Sequence, residues 1–177
     1  MADVNEQILE QYLKLRKKWF YMTDISFRVP HNYSNIDLLA FDPKNNKYYD
    51  IEVKFRSQFT IAANSRKGKD TSDNNIKWLT DQFSDYPTRE DKIKEYIKYR
   101  KTIKVLVTTK QLFGKTEKKR KQIESAFKRE MSKQGFKKSE IWYFDDIIPE
   151  LYKSIDIKGR YNTELLQAIR MIKTYKP

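Results

Sequence analysis

Two acids and one amine, on neighbouring arms of a β-hairpin, are the residues best spaced for chemistry. The run Tyr48 to Phe55 alternates, so Ile51, Val53 and Phe55 point one way while Asp50, Glu52 and Lys54 point the other. An earlier run, Ile36 to Phe41, is separated from it by Asp42-Pro43-Lys44-Asn45-Asn46-Lys47, which is strong turn chemistry. With Pro43 to Asn46 as the loop, Asp42 pairs with Lys47 and Phe41 with Tyr48. The same register sets Asp37 opposite Glu52 on one face, with Cβ atoms roughly 4.5 to 5.5 Å apart. Carboxylates so placed repel, and a divalent cation turns the repulsion into attraction. Mg²⁺ is the natural ion, with Mn²⁺ as its substitute, because it takes one or two carboxylates and completes its shell with waters and phosphate oxygens. Lys54 projects from the same face two residues beyond Glu52, where an ammonium can hold a water or stabilise charge on a phosphate in transit. The set describes metal-assisted phosphodiester hydrolysis.

The tripeptide alone carries little information. An acid two residues before a lysine occurs five times, beginning at Asp42, Glu52, Glu90, Glu117 and Asp156. Only the copy at Glu52 lies in an alternating strand with a second acid, Asp37, fifteen residues earlier on a neighbouring strand. The competing reading is a solvated outer face of an edge hairpin bearing a cross-strand charge pair.

Positioning this set requires a sheet. Asp3 to about Lys18 carries Val4, Ile8, Leu9, Tyr12, Leu13, Leu15 and Trp19 at helical spacing, with Asp3 as N-cap. Tyr21 to Val29 then alternates, placing Tyr21, Thr23, Ile25, Phe27 and Val29 on one side before Pro30, and His31 to Asn35 reads as a polar turn. After the hairpin, residues 56–75 show no sustained period. Ile76 to Phe83 and Arg89 to Lys101 are helical, Thr102 to Thr108 is a strand, and Lys115 to Gln134 is a charged helix with Ile123, Phe127 and Met131 on one stripe and Gly135 at its end. Glu140 to Phe144 is a strand, Asp145 and Asp146 are set to cap a short helix, and Asn162 to Tyr175 is the last helix. An antiparallel meander followed by βα crossovers predicts an α/β fold with a mixed sheet and helices on its faces.

Composition narrows the chemistry further. Over 177 residues, 37 Lys plus Arg stand against 24 Asp plus Glu, a formal charge of +13 that points to a polyanionic partner, most simply nucleic acid. The length fits one domain, residues 1–177, and 38% hydrophobic residues suffice for a core despite 34% charge. With no cysteine and one histidine, His31, disulfides, thiolate zinc sites and histidine-rich metal sites are excluded, so any metal is oxygen-bound. No apolar run approaches the roughly 20 residues of a membrane helix, and the first ten residues are acidic and polar, so a cytoplasmic location and no membrane partner are expected. Basic residues cluster at Lys14 to Lys18, Lys54 with Arg56, Arg66 to Lys69, Lys98 to Lys101 and Lys115 to Lys121. Arg56, Arg66, Lys67 and Lys69 are the expected DNA contacts, because their loop leaves the strand bearing Glu52 and Lys54. Lys115 to Lys121 reads as the wet side of a helix, and His31 is assigned no role.

Helix one, the strand ending at Pro30, Asn35-Ile36-Asp37-Leu38-Leu39-Ala40, Asp50-Ile51-Glu52-Val53-Lys54 and the later helix-strand units together resemble the PD-(D/E)xK nuclease superfamily. That superfamily includes restriction endonucleases and archaeal-type Holliday junction resolvases, and the likeness spans residues 3–110 in element order. It implies a restriction endonuclease-like fold and a Mg²⁺-dependent DNA endonuclease without a small-molecule cofactor, in which Asp37 and Glu52 bind the ion and Lys54 is catalytic. Ile36 stands where the motif has proline. Many members add a glutamate from helix one; Glu6 and Glu10 both qualify, and Glu6 is preferred because its distance to the end of that helix is more similar to that in resolvase-type members. Gln82-Phe83-Ser84-Asp85-Tyr86 is similar to the Gln-x-x-x-Tyr element of RecB-like members, which would bring Gln82 and Tyr86 to line the site. Cutting two strands commonly calls for a homodimer, although no stripe identifies an interface. The alternative function is a nucleic-acid-binding subunit that keeps the fold and cuts poorly alone.

Overall fold

The computed structural model of this chain describes residues 3–30, 32–55, 72–84, 88–98 and 101–175. Helix α1 (Val4–Tyr12) starts where the periodicity places it, with the Asp3 side chain accepting from the Asn5 N–H at 3.4 Å. It runs into a five-residue π-helical turn, Leu13–Lys17, which stops at Lys18 in the left-handed region (φ 61°). Strands β1 (Phe20–Val29), β2 (Asn32–Asp42) and β3 (Lys47–Val53) form an antiparallel meander. The polar stretch before Ile36 is strand rather than turn: Asn32 pairs with Val29 and Asn35 with Ser26. Its polarity reflects an exposed end of the hairpin.

The turn between β2 and β3 follows the sequence. Asp42 accepts from the Lys44 N–H at 2.9 Å and from the Asn45 side-chain amide at 2.6 Å, and Asn46 adopts φ 51°. The resulting register pairs Asp42 with Lys47 and Leu38 with Ile51.

After β3 come α2 (Ser72–Asp81) and α3 (Thr88–Ile97), then β4 (Thr102–Thr108), α4 (Lys110–Phe113), α5 (Glu117–Lys133), β5 (Ser139–Tyr143), α6 (Phe144–Ser154) and α7 (Glu164–Tyr175). Strand order is β1-β2-β3-β4-β5, with β4 parallel to β3 and β5 parallel to β4, so the sheet is mixed as expected. Gly135, at φ 91°, follows the end of α5 as the sequence places it, whereas the helix starts two residues later than Lys115, capped by the Thr116 side chain. Asp145 and Asp146 do not cap α6, whose N-cap, Tyr143, has no side-chain bond; Asp145 instead accepts from the Lys110 N–H at 2.8 Å. Among the described residues no helix is long and apolar enough to cross a membrane.

Among the described residues, three apolar clusters cover the sheet. Ile51, Val53, Leu38, Ala40, Val105 and Val107 pack under α1, α6 and α7. Leu106 belongs to a second cluster with Leu79 of α2, Phe83 just after it, and Phe113, Phe127 and Met131 from α4 and α5. A third joins Ile25, Phe27, Ile36 and Leu39 to Ile93 and Ile97 of α3. Strict alternation would have kept β1 on one side, yet Tyr21 packs against the first cluster and Ile25 and Phe27 lie in the third. The change falls at Asp24, whose φ of 51° interrupts the ladder between Thr23 and Ile25. β3 is therefore a central strand, and the side bearing Asp50 and Glu52 is not an open charged face: the two residues are 0% and 3% exposed.

Candidate active site

At the end of β3 the chain brings together the three residues that spacing singled out. The ladder between β2 and β3 ends at Leu38 and Ile51. Beyond it the Asp37 side chain takes over the work of the ladder, its Oδ2 accepting from the Val53 N–H at 2.7 Å. Asp37 thus reaches across to β3 instead of turning to solvent. Lys54 is fixed from the other side by β4: its N–H donates to the Val107 carbonyl at 2.9 Å, and its carbonyl accepts from the Thr108 hydroxyl at 2.6 Å. So held, its Nζ lies 3.1 Å from Glu52 Oε2 and 3.9 Å from Asp37 Oδ2. The three side chains grade from the interior to the surface, at 3% exposure for Glu52, 16% for Asp37 and 24% for Lys54. The corner is reachable from solvent on the Lys54 side.

Behind Glu52 lies a buried ionic group that the motif does not include. Arg89, at the start of α3, places Nη2 2.6 Å from Glu52 Oε1 and 2.6 Å from Asp50 Oδ1, and Nε 3.0 Å from Asp50 Oδ2. The contact to Oε1 is close but not aligned as a hydrogen bond. Its Nη1 donates to the carbonyls of Gln82 at 3.1 Å and Asn35 at 3.4 Å, and its guanidinium carbon stands 5.5 Å from the centre of the Phe83 ring. Lys104 of β4 closes the group, 2.8 Å from Asp50 Oδ2 and paired with Glu90. Burial of Asp50 works against its charge, but Lys104 and Arg89 overcome it and hold its pKa down to about 2. For Glu52 burial wins: helped by Asp37 and Asp50, and opposed by Arg89 and Lys54, it pushes the carboxyl up to about 7.

This shift has a measurable consequence for stability. An acid whose folded pKa lies above its unfolded value binds more protons when folded. Its contribution is therefore complete below about pH 4.5 and lost as pH rises to about 7. The loss amounts to about 3 kcal/mol. Urea unfolding of the metal-free chain across that window should show stability falling with pH, and Glu52→Gln should flatten the slope. Asp50 acts in the opposite sense and lower down, its contribution disappearing as pH falls from 3.8 to about 2.

Comparisons with protein-family models, curated proteins and solved structures return no match.

The residues brought in by resemblance divide. Glu6 is raised by burial and then by Asp37 and Asp24, so it shares the field of the Asp37 carboxylate. Glu10, one turn on, is raised by burial and Asp24 and bonds with Tyr21 instead. Gln82 turns its side-chain amide back to the Trp78 carbonyl at 2.9 Å and meets the buried group only through its own carbonyl. Tyr86, Arg56, Arg66, Lys67, Lys69 and His31 lie outside the described residues.

Among the described residues no group of three or more His, Asp or Glu side chains is gathered tightly enough to hold an ion unaided. Two carboxylates do converge, those of Asp37 and Glu52, with an ammonium against both. An all-oxygen donor set of two carboxylates fits Mg²⁺ or Mn²⁺, which draws its remaining ligands from water and phosphate. Such a cation would also offset the cost of ionising Glu52 inside the fold.

Proposed function

We propose that this chain is a Mg²⁺-dependent DNA endonuclease of restriction endonuclease-like fold. The observation that carries the reading is the meeting of Asp37, Glu52 and Lys54 at one partly open corner where the antiparallel half of the sheet joins the parallel half. Asp37 and Glu52 would hold the ion, with Glu6 adding negative charge on the Asp37 side. Bound there, the ion supplies a Lewis acid for the phosphate oxygens. Lys54, anchored through both its backbone groups to β4, directs its ammonium into the corner and orients the attacking water by hydrogen bonding. Burial behind Glu52 excludes bulk water, which strengthens each of these interactions. The net charge of +13 supports a polyanionic substrate and gives affinity that weakens with salt.

The test is incubation of supercoiled, linear and four-way-junction DNA with the purified chain and Mg²⁺ or Mn²⁺. Cleavage of at least one form, abolished by EDTA, is the expected result; intact DNA in every case rejects the enzyme. One observation favours a second reading, a DNA-binding subunit that does not cut: Glu52 is already countered by both Arg89 and Lys54. Salt-sensitive gel shifts without nicking would support it.

A further inference from the structure

We propose that Arg89 is a positioning residue that fixes which oxygen Glu52 presents to the corner it shares with Asp37 and Lys54. The inference rests on the hydrolytic reading of that corner and adds to it a residue that no part of the acid-x-lysine pattern contains. The guanidinium sits behind Glu52, 2.6 Å from Oε1, while the opposite oxygen, Oε2, faces Lys54 at 3.1 Å. One carboxylate oxygen is thereby committed inward and the other outward.

The guanidinium can impose this because it is itself held on several sides. Asp50 grips Nε and Nη2, the carbonyls of Gln82 and Asn35 hold Nη1, and Phe83 lies near its carbon. Asp50 is in turn pinned by Lys104, which is paired with Glu90. An ammonium at position 89 would keep the charge but lose the planar fork that spans two carboxylates at once. A side chain serving only to neutralise charge would not need that geometry. The Asn35 contact has a further effect: it ties the guanidinium to β2 two residues before Asp37, so one cation references both strands that carry the acids.

The experiment compares the unaltered chain with Arg89→Lys and with the apolar pair Arg89→Met/Asp50→Leu, which keeps the volume of those two side chains without their charges. Mn²⁺ binding is read directly by electron paramagnetic resonance, and kcat and KM for DNA cleavage are measured beside it. In the folded variants Mn²⁺ affinity and kcat should fall by about 10- to 100-fold with KM unchanged, the size typical of groups that orient a ligand from behind. A folded variant of either kind with unchanged Mn²⁺ affinity and kcat overturns the positioning role and leaves the hydrolytic reading intact. An unaltered chain that neither binds Mn²⁺ nor cuts DNA overturns the hydrolytic reading and this inference with it. Should both variants fail to fold, the nitrogen-15 guanidinium resonances of Arg89 decide: they should be resolved in the unaltered chain and shift in Glu52→Gln, and resonances indifferent to that change reject the proposal.

Discussion

Lys54→Ala and Asp37→Asn, each made alone, should lower divalent-dependent DNA cleavage by about a thousandfold or more, equivalent to about 4 kcal/mol of transition-state stabilisation. DNA binding measured in Ca²⁺ should stay close to that of the unaltered chain, since a single charge is a small part of a +13 surface. The choice of asparagine at position 37 follows from the geometry. Asp37 Oδ2 accepts from the Val53 N–H at 2.7 Å, and an amide oxygen keeps that bond while removing the charge. Alanine would leave the N–H unmet and mix a folding defect with the chemical one. Lys54 is simpler, because its backbone bonds to Val107 and Thr108 survive truncation of the side chain. Its loss also withdraws the cation 3.1 Å from Glu52, which drives that carboxyl further toward the protonated form. Thermal unfolding checks that both variants fold. A folded Lys54→Ala protein cutting at the original rate would remove the amine from the chemistry and leave Asp37 and Glu52 as an ionic cluster.

How far this corner could be read in advance depended on the range of the interactions that build it. The turn at Asp42 is local, and its chemistry fixes the β2–β3 register, so the approach of Asp37 to Glu52 and Lys54 was legible from spacing. The apolar stripe of α5 followed from periodicity in the same way, with Ile123, Phe127 and Met131 buried. Arg89 was not legible. It is one basic residue among 37, at the start of a helix rich in charge, and its partners Asp50 and Glu52 lie 39 and 37 positions earlier. Only the parallel pairing that sets Asp50 beside Lys104, and the packing of α3 over that face, reveals that the charges are interior. A faint signal existed in the pattern: Asp50 shares the parity of Glu52, and a central strand in a mixed sheet is covered on both sides. The Asp24 break in β1 escaped for a different reason. Alternation of residue types cannot report a single positive φ, which here exchanges the core that β1 serves.

Arg89→Ala should be the most damaging single truncation among the charged residues described, costing about 3 to 5 kcal/mol. The residue is 1% exposed and its loss strands Asp50, at 0%, and Glu52, at 3%, with only Lys104 and Lys54 to oppose them. Against a typical total stability of about 5 to 15 kcal/mol, that is a large fraction. Urea unfolding gives the number directly, provided the slope of stability against urea is unchanged. Two comparisons separate an unpaired buried charge from a mere cavity. Lys121→Ala removes one half of the Lys121–Glu117 pair, whose side chains are 72% and 70% exposed, and should change stability hardly at all. The pair Arg89→Met/Asp50→Leu vacates as many charges as it fills with apolar volume and should recover most of what Arg89→Ala loses, because buried ion pairs are often replaceable by well-packed hydrophobic side chains. Lys104 keeps Glu90 and Glu52 keeps Lys54 in that variant, so neither is abandoned. If Arg89→Ala instead costs no more than Lys121→Ala, the guanidinium is not what compensates Asp50 and Glu52. The fold would then tolerate those acids because they take up protons, and Asp50, held down to about 2 by Arg89 and Lys104, would be the wrong member of the pair to do so.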